Sequence, residues 1–79
     1  MEAFKIFIVE DDKIFSKRLH YQLSLNPDFE IYVFNNGTDL LNAIDQQPDL
    51  ITLDYHLPDI TGDEILRKVR DFLPQTPVL

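Results

Sequence analysis

The chain has 79 residues, room for one domain with a thin core. Hydrophobic residues make up 44%, too many for a disordered tail, and a formal net charge of -7 repels phosphate backbones, which argues against nucleic-acid binding by this chain. There is no cysteine, so disulfides, thiolate metal sites and a Cys nucleophile are excluded. No apolar run is long enough to span a membrane, and Met1-Glu2-Ala3-Phe4-Lys5 lacks a signal-peptide pattern; a cytoplasmic protein is expected.

Phe4 to Val9 (FKIFIV) is apolar apart from Lys5, which predicts a strand buried on both faces of a parallel sheet. Glu10, Asp11 and Asp12 follow at once. Lys13 to about Leu25 places Phe15, Leu19 and Leu23 at i, i+4, i+8 and predicts an amphipathic helix, with Asp12 as its N-cap and Asn26-Pro27 as its end. Phe29 to Phe34 (FEIYVF) reads as a second strand, with Asn35-Asn36-Gly37 as its exit turn.

Thr38 to Gln46, with Leu40, Leu41 and Ile44, predicts a short helix closed by Pro48. Asp49 to Leu53 (DLITL) is a third strand that runs directly into Asp54. Tyr55 to Gly62 is a loop broken by Pro58 and Gly62. A third helix is expected over Asp63 to about Phe72, with Ile65, Val69 and Leu73 on one face and Thr61 and Glu64 at capping-box spacing. Pro74 stops it. Thr76 to Leu79 reads as the opening of a fourth strand, where the sequence ends. Strands alternating with helices predict an α/β fold with a parallel sheet and right-handed crossovers.

In such sheets ligands bind at the carboxyl ends of the strands, and two strands here end in acid. Like charges 4 Å apart repel by about 4 kcal/mol at an effective dielectric of about 20. A cation must offset that. Oxygen-only donors suit a hard divalent ion, Mg²⁺ above all, and Mg²⁺ leaves a carboxylate free to act as a nucleophile toward phosphorus. The plainer reading of a lone acid after a strand is a helix cap, and it is kept for Asp12.

The stretches IFIVEDD and LITLDYHLPDITG, with Asp11 and Asp54 43 positions apart, resemble the receiver domain of two-component response regulators over the whole chain. The resemblance implies a flavodoxin-like, doubly wound parallel sheet, here incomplete (β-α-β-α-β-α and the start of a fourth strand), within one domain over 1–79 that lacks its C-terminal part. It implies Asp54 as the phosphoacceptor, Asp11 as a direct Mg²⁺ ligand, Glu10 as an acid acting on the metal through water, and the backbone carbonyl of His56 as a further ligand. The His56 imidazole is expected at the rim, in solvent. Pro58 and Gly62 match the residues that shape the loop after the acceptor, Gly62 by allowing a tight turn. Thr61 departs from the more usual small polar or acidic residue there. His20 is expected on the surface.

The same resemblance implies a sensor histidine kinase or phosphotransfer protein as the phosphoryl source, and no turnover enzyme. It also implies a Ser/Thr after a fourth strand and a Lys after a fifth, positions beyond this sequence; Lys13 and Lys68 lie in the wrong elements to replace the latter. An exposed sheet edge would invite self-association. Two other functions compete. An aspartate-nucleophile phosphohydrolase of the haloacid dehalogenase type wants a second Asp where His56 stands. A fragment used only for protein interaction is the other.

Overall fold

The computed structural model describes residues 3–79; Met1 and Glu2, part of the start expected to lack a leader, lie outside the described residues. Strands β1 (Phe4–Val9), β2 (Phe29–Phe34) and β3 (Leu50–Leu53) form a parallel sheet in the order β2-β1-β3. Helices α1 (Lys13–Ser24), α2 (Gly37–Asn42) and α3 (Gly62–Phe72) connect and follow them. The expected α/β architecture is present as far as the chain extends. No helix among the described residues is long and apolar enough to cross a membrane.

β1 is central because its sequence suits burial on both faces: Ile6, Phe7, Ile8 and Val9 are all buried. Alternation along the strand divides them. Phe7 and Val9 join Ile51 and Leu53 from β3 in the main core, against Leu40, Ala43, Ile44, Ile65 and Val69 from α2, the turn after it and α3. Phe7 is also flanked by the rings of Tyr32 and Phe34, at centroid distances of 5.7 and 4.9 Å. Each fully buried side chain of this size contributes roughly 1.5–3 kcal/mol, so this face carries most of the stability. Ile6 and Ile8 point to the other face, which α1 covers in part.

Several boundaries differ from expectation. The second helix is not continuous from Thr38 to Gln46. It stops at Asn42 and gives way to a 3-10 turn over Ile44–Gln46, in which the Gln46 N–H donates to the Ala43 carbonyl at 3.0 Å. Gln47 follows with φ 56°, a left-handed residue that turns the chain toward Pro48 and β3. Asp49 lies just before β3, where its carboxylate accepts the Lys5 N–H at 2.8 Å. α3 begins at Gly62, one residue early.

The predicted apolar face of α1 is only partly covered. Ser16 is its only buried residue, while Leu19 and Leu23 are half-buried and Phe15 is 56% exposed. Phe15 borders an open apolar groove with Leu19, Ile8, Thr52, Leu53 and Leu79, because no element packs against that side of α1 among the described residues. The expected fourth strand is reduced to a bridge between Ile51 and Val78, with the Leu79 N–H donating to Ile51 at 2.9 Å. β2 forms the other edge of the sheet.

This topology sets the level of the strand ends. β1 and β3 pair Val9 with Leu53, so Glu10 and Asp54 leave the sheet side by side. The ladder runs one residue further: the Asp54 N–H donates to the Val9 carbonyl and the Glu10 N–H to the Phe34 carbonyl, both at 2.9 Å.

Candidate functional site

Glu10, Asp11 and Asp54 converge at the carboxyl ends of β1 and β3. One carboxylate oxygen from each lies within 4.8 Å of the others. Glu10 and Asp54 are half-buried, and Asp11 is exposed. No Lys or Arg forms an ion pair with any of them among the described residues. At that spacing each ionised pair repels by roughly 3 kcal/mol at an effective dielectric of about 20, less where water screens it.

The repulsion divides protons unevenly between neighbours. Burial, then the Asp54 charge, raises the Glu10 pKa. Asp54 is held below its ordinary value, first by the His56 backbone N–H, which donates to Asp54 Oδ1 at 2.9 Å. The hydrogen bond from His56 thus favours the ionised form of Asp54, the form that can act as a nucleophile. The Glu10 backbone is itself fixed: Asn35 Nδ2 donates to its carbonyl at 2.9 Å.

Asp12 stands apart from the cluster. Its Oδ1 accepts the N–H groups of Ile14 and Phe15 at 3.0 and 3.1 Å, which makes it the N-cap of α1. The His56 side chain is exposed, as is His20. Pro58 is exposed in the loop between β3 and α3. Gly62 is buried, and its φ is not positive. What requires glycine there is a close approach, not a positive φ: a Cβ on Gly62 would collide with the ring of Tyr55. The residue after Asp54 thus rests its ring on the first residue of α3. Thr61 caps that helix, its Oγ1 accepting the Glu64 N–H at 3.3 Å.

Sequence reasoning missed Asp59. Although exposed, it accepts three hydrogen bonds from the start of α2: from Gly37 N at 2.9 Å, Thr38 N at 2.9 Å and Thr38 Oγ1 at 2.6 Å. The Thr38 hydroxyl, then the Gly37 N–H, pull its pKa down to about 2. No local signal marks these partners, which lie 21 and 22 residues away.

A parallel sheet with helices between its strands and acids gathered at the carboxyl ends of adjacent strands places the chain in the open α/β class, with its candidate site where ligands of that class bind. The response regulator receiver domain model matches residues 6–79, and the chain belongs to that family. It is 36% identical over 80 residues to the transcriptional regulatory protein CreB of Escherichia coli, covering all of this chain and 34% of that protein. It is 37% identical over 81 residues to a protein-glutamate methylesterase/protein-glutamine glutaminase of Pseudomonas fluorescens, covering 98% of this chain and 21% of that one. The response regulator domain of Thermotoga maritima CheB superposes with a TM-score of 0.84 at 26% identity, over 98% of this chain and 58% of that chain. The chain therefore spans between 21% and 34% of the length of these two curated relatives. It is a receiver domain of the two-component type, and the aspartate-nucleophile hydrolase reading falls with that finding.

Proposed function

We propose that Asp54 accepts a phosphoryl group, with Mg²⁺ held by Asp11, Asp54 and the His56 backbone carbonyl, and by Glu10 through water. The observation that carries this reading is the convergence of three carboxylates at two adjacent strand ends, with no ion pair to a Lys or Arg among the described residues. The donor set fits the ion, since it is all oxygen and suits a hard divalent cation. When bound, Mg²⁺ would neutralise charge on the cluster and on the transferring group.

The chain's own residues supply the rest. The His56 N–H occupies Asp54 Oδ1 and leaves Oδ2 to attack phosphorus. An acyl phosphate bond forms on that oxygen as the bond from phosphorus to the donor breaks, and the donor leaves with the electron pair. The His56 N–H also holds the Asp54 carboxyl below its ordinary pKa, which favours the ionised, nucleophilic form. The donor is a sensor histidine kinase or a phosphotransfer protein, and the chain is a substrate that assists its own modification. Association of copies through an exposed sheet edge is a further part of this reading.

Incubation with Mg²⁺ and acetyl phosphate, followed by intact-mass measurement, tests the proposal. A gain of one phosphoryl group that Asp54→Asn abolishes is expected. No gain in folded wild-type protein overturns it and favours the interaction-only reading.

A further inference from the structure

The loop between β3 and α3 contributes the His56 backbone to the site, yet it is exposed at Tyr55, His56, Pro58 and Asp59. Such loops are ordinarily the mobile part of a domain. Here both ends are pinned: His56 N–H donates to Asp54 at 2.9 Å, and Thr61 caps α3. In the middle, Asp59 makes three hydrogen bonds to Gly37 and Thr38, while Leu57 and Ile60 pack against the core. The approach is close on the apolar side as well. A Cβ on Gly37 would lie 3.3 Å from Ile60 Cβ in the loop and 2.6 Å from Ile65 Cδ1 in α3, so loop, α2 and α3 approach closely there.

We infer that Asp59 is a positioning residue for the metal site, tying the loop that carries the His56 carbonyl to the start of α2. The inference rests on the site proposed above. Its physical basis is that a backbone ligand has no rotamer to adjust, so its place is set only by what holds the backbone. Partners that orient metal ligands from outside typically change affinity by about 10- to 100-fold. Thr38 belongs to the same device, because its hydroxyl and its N–H meet the same Asp59 oxygen at 2.6 and 2.9 Å. Without the tether, residues 56–60 gain freedom that Mg²⁺ must remove on binding.

The test is Mg²⁺ binding by calorimetry on the intact chain, with wild type, Asp59→Ala, Thr38→Val and Asp11→Asn. High potassium chloride screens the bare loss of the Asp59 charge. Asp59→Ala is expected to weaken the dissociation constant about tenfold, Thr38→Val by less in the same direction, and amide exchange of residues 56–60 to quicken in both. A merely structural role would lower the melting temperature and leave the dissociation constant, measured well below it, unchanged. Binding within about twofold of wild type in Asp59→Ala, while Asp11→Asn abolishes it, overturns this inference alone. Wild type that binds no Mg²⁺, or binding that survives Asp11→Asn, overturns the site and the inference together. If Asp59→Ala does not fold, unchanged binding in Thr38→Val decides against the inference.

Discussion

Asp54 and Asp59 are carboxylates five residues apart in one loop, and their surroundings give them different work. Asp54 has one oxygen engaged by the His56 N–H, and its carboxylate lies beside those of Glu10 and Asp11. Asp59 has both oxygens engaged by donors from α2. Since the folded pKa of Asp59 is lowered from 3.8 to about 2, its contribution to stability is present above pH 3.8 and is lost as pH falls through about 2. A carboxyl NMR titration of Asp59 should therefore have its midpoint near 2 in folded protein, against 3.8 in a urea-unfolded chain. In the same pH window, the stability difference between wild type and Asp59→Ala should shrink toward zero. A constant difference down to pH 2 would show that the charge is not what the donors hold.

At the scale of elements, the two ends of the loop rest on small residues and caps. Gly62→Ala would drive a methyl group into the Tyr55 ring, and overpacking of this kind typically costs about 1–3 kcal/mol. Tyr55→Ala in the same chain should recover much of that loss, so urea melts of the two single variants and the double variant should give non-additive stabilities. Additive losses would mean that the ring moves aside freely. On α1, Asp12→Ala removes the acceptor for two N–H groups and should cost about 1 kcal/mol without changing phosphoryl uptake. That outcome would separate the capping acid from its neighbours Glu10 and Asp11.

For the whole molecule, charge is the governing quantity. A chain with formal charge -7 that also gathers three carboxylates at one edge carries self-repulsion, which a bound cation relieves. Mg²⁺ at about 100 times its dissociation constant should add about 2.7 kcal/mol to unfolding by mass action. In a domain of this size that raises the melting temperature by roughly 10 °C or more. Asp11→Asn should remove most of the gain, and an equal gain in that variant would place the ion elsewhere. The sheet below the site is well placed to hold it rigid, because β1 is buried on both faces and the main core packs directly beneath Val9 and Leu53.

The sequence by itself determined the order of elements, the parallel sheet and the acids at its strand ends, because these follow from short-range patterns. An apolar run such as FKIFIV has one stable place in a small α/β domain, and turn residues bound each element. Asp12 was legible as a cap for the same reason, its donors being two and three residues away. Tertiary structure alone decided which acids meet: Glu10 and Asp54 are neighbours because β1 and β3 pair, with Val9 opposite Leu53. It alone decided how much of α1 is buried, since that depends on what packs against the helix: Ser16 is buried and Phe15 is exposed. It also assigned Asp59 its partners and Gly62 its steric duty. Those contacts join residues distant in the chain or stacked across a loop, and no local pattern encodes a distance in space.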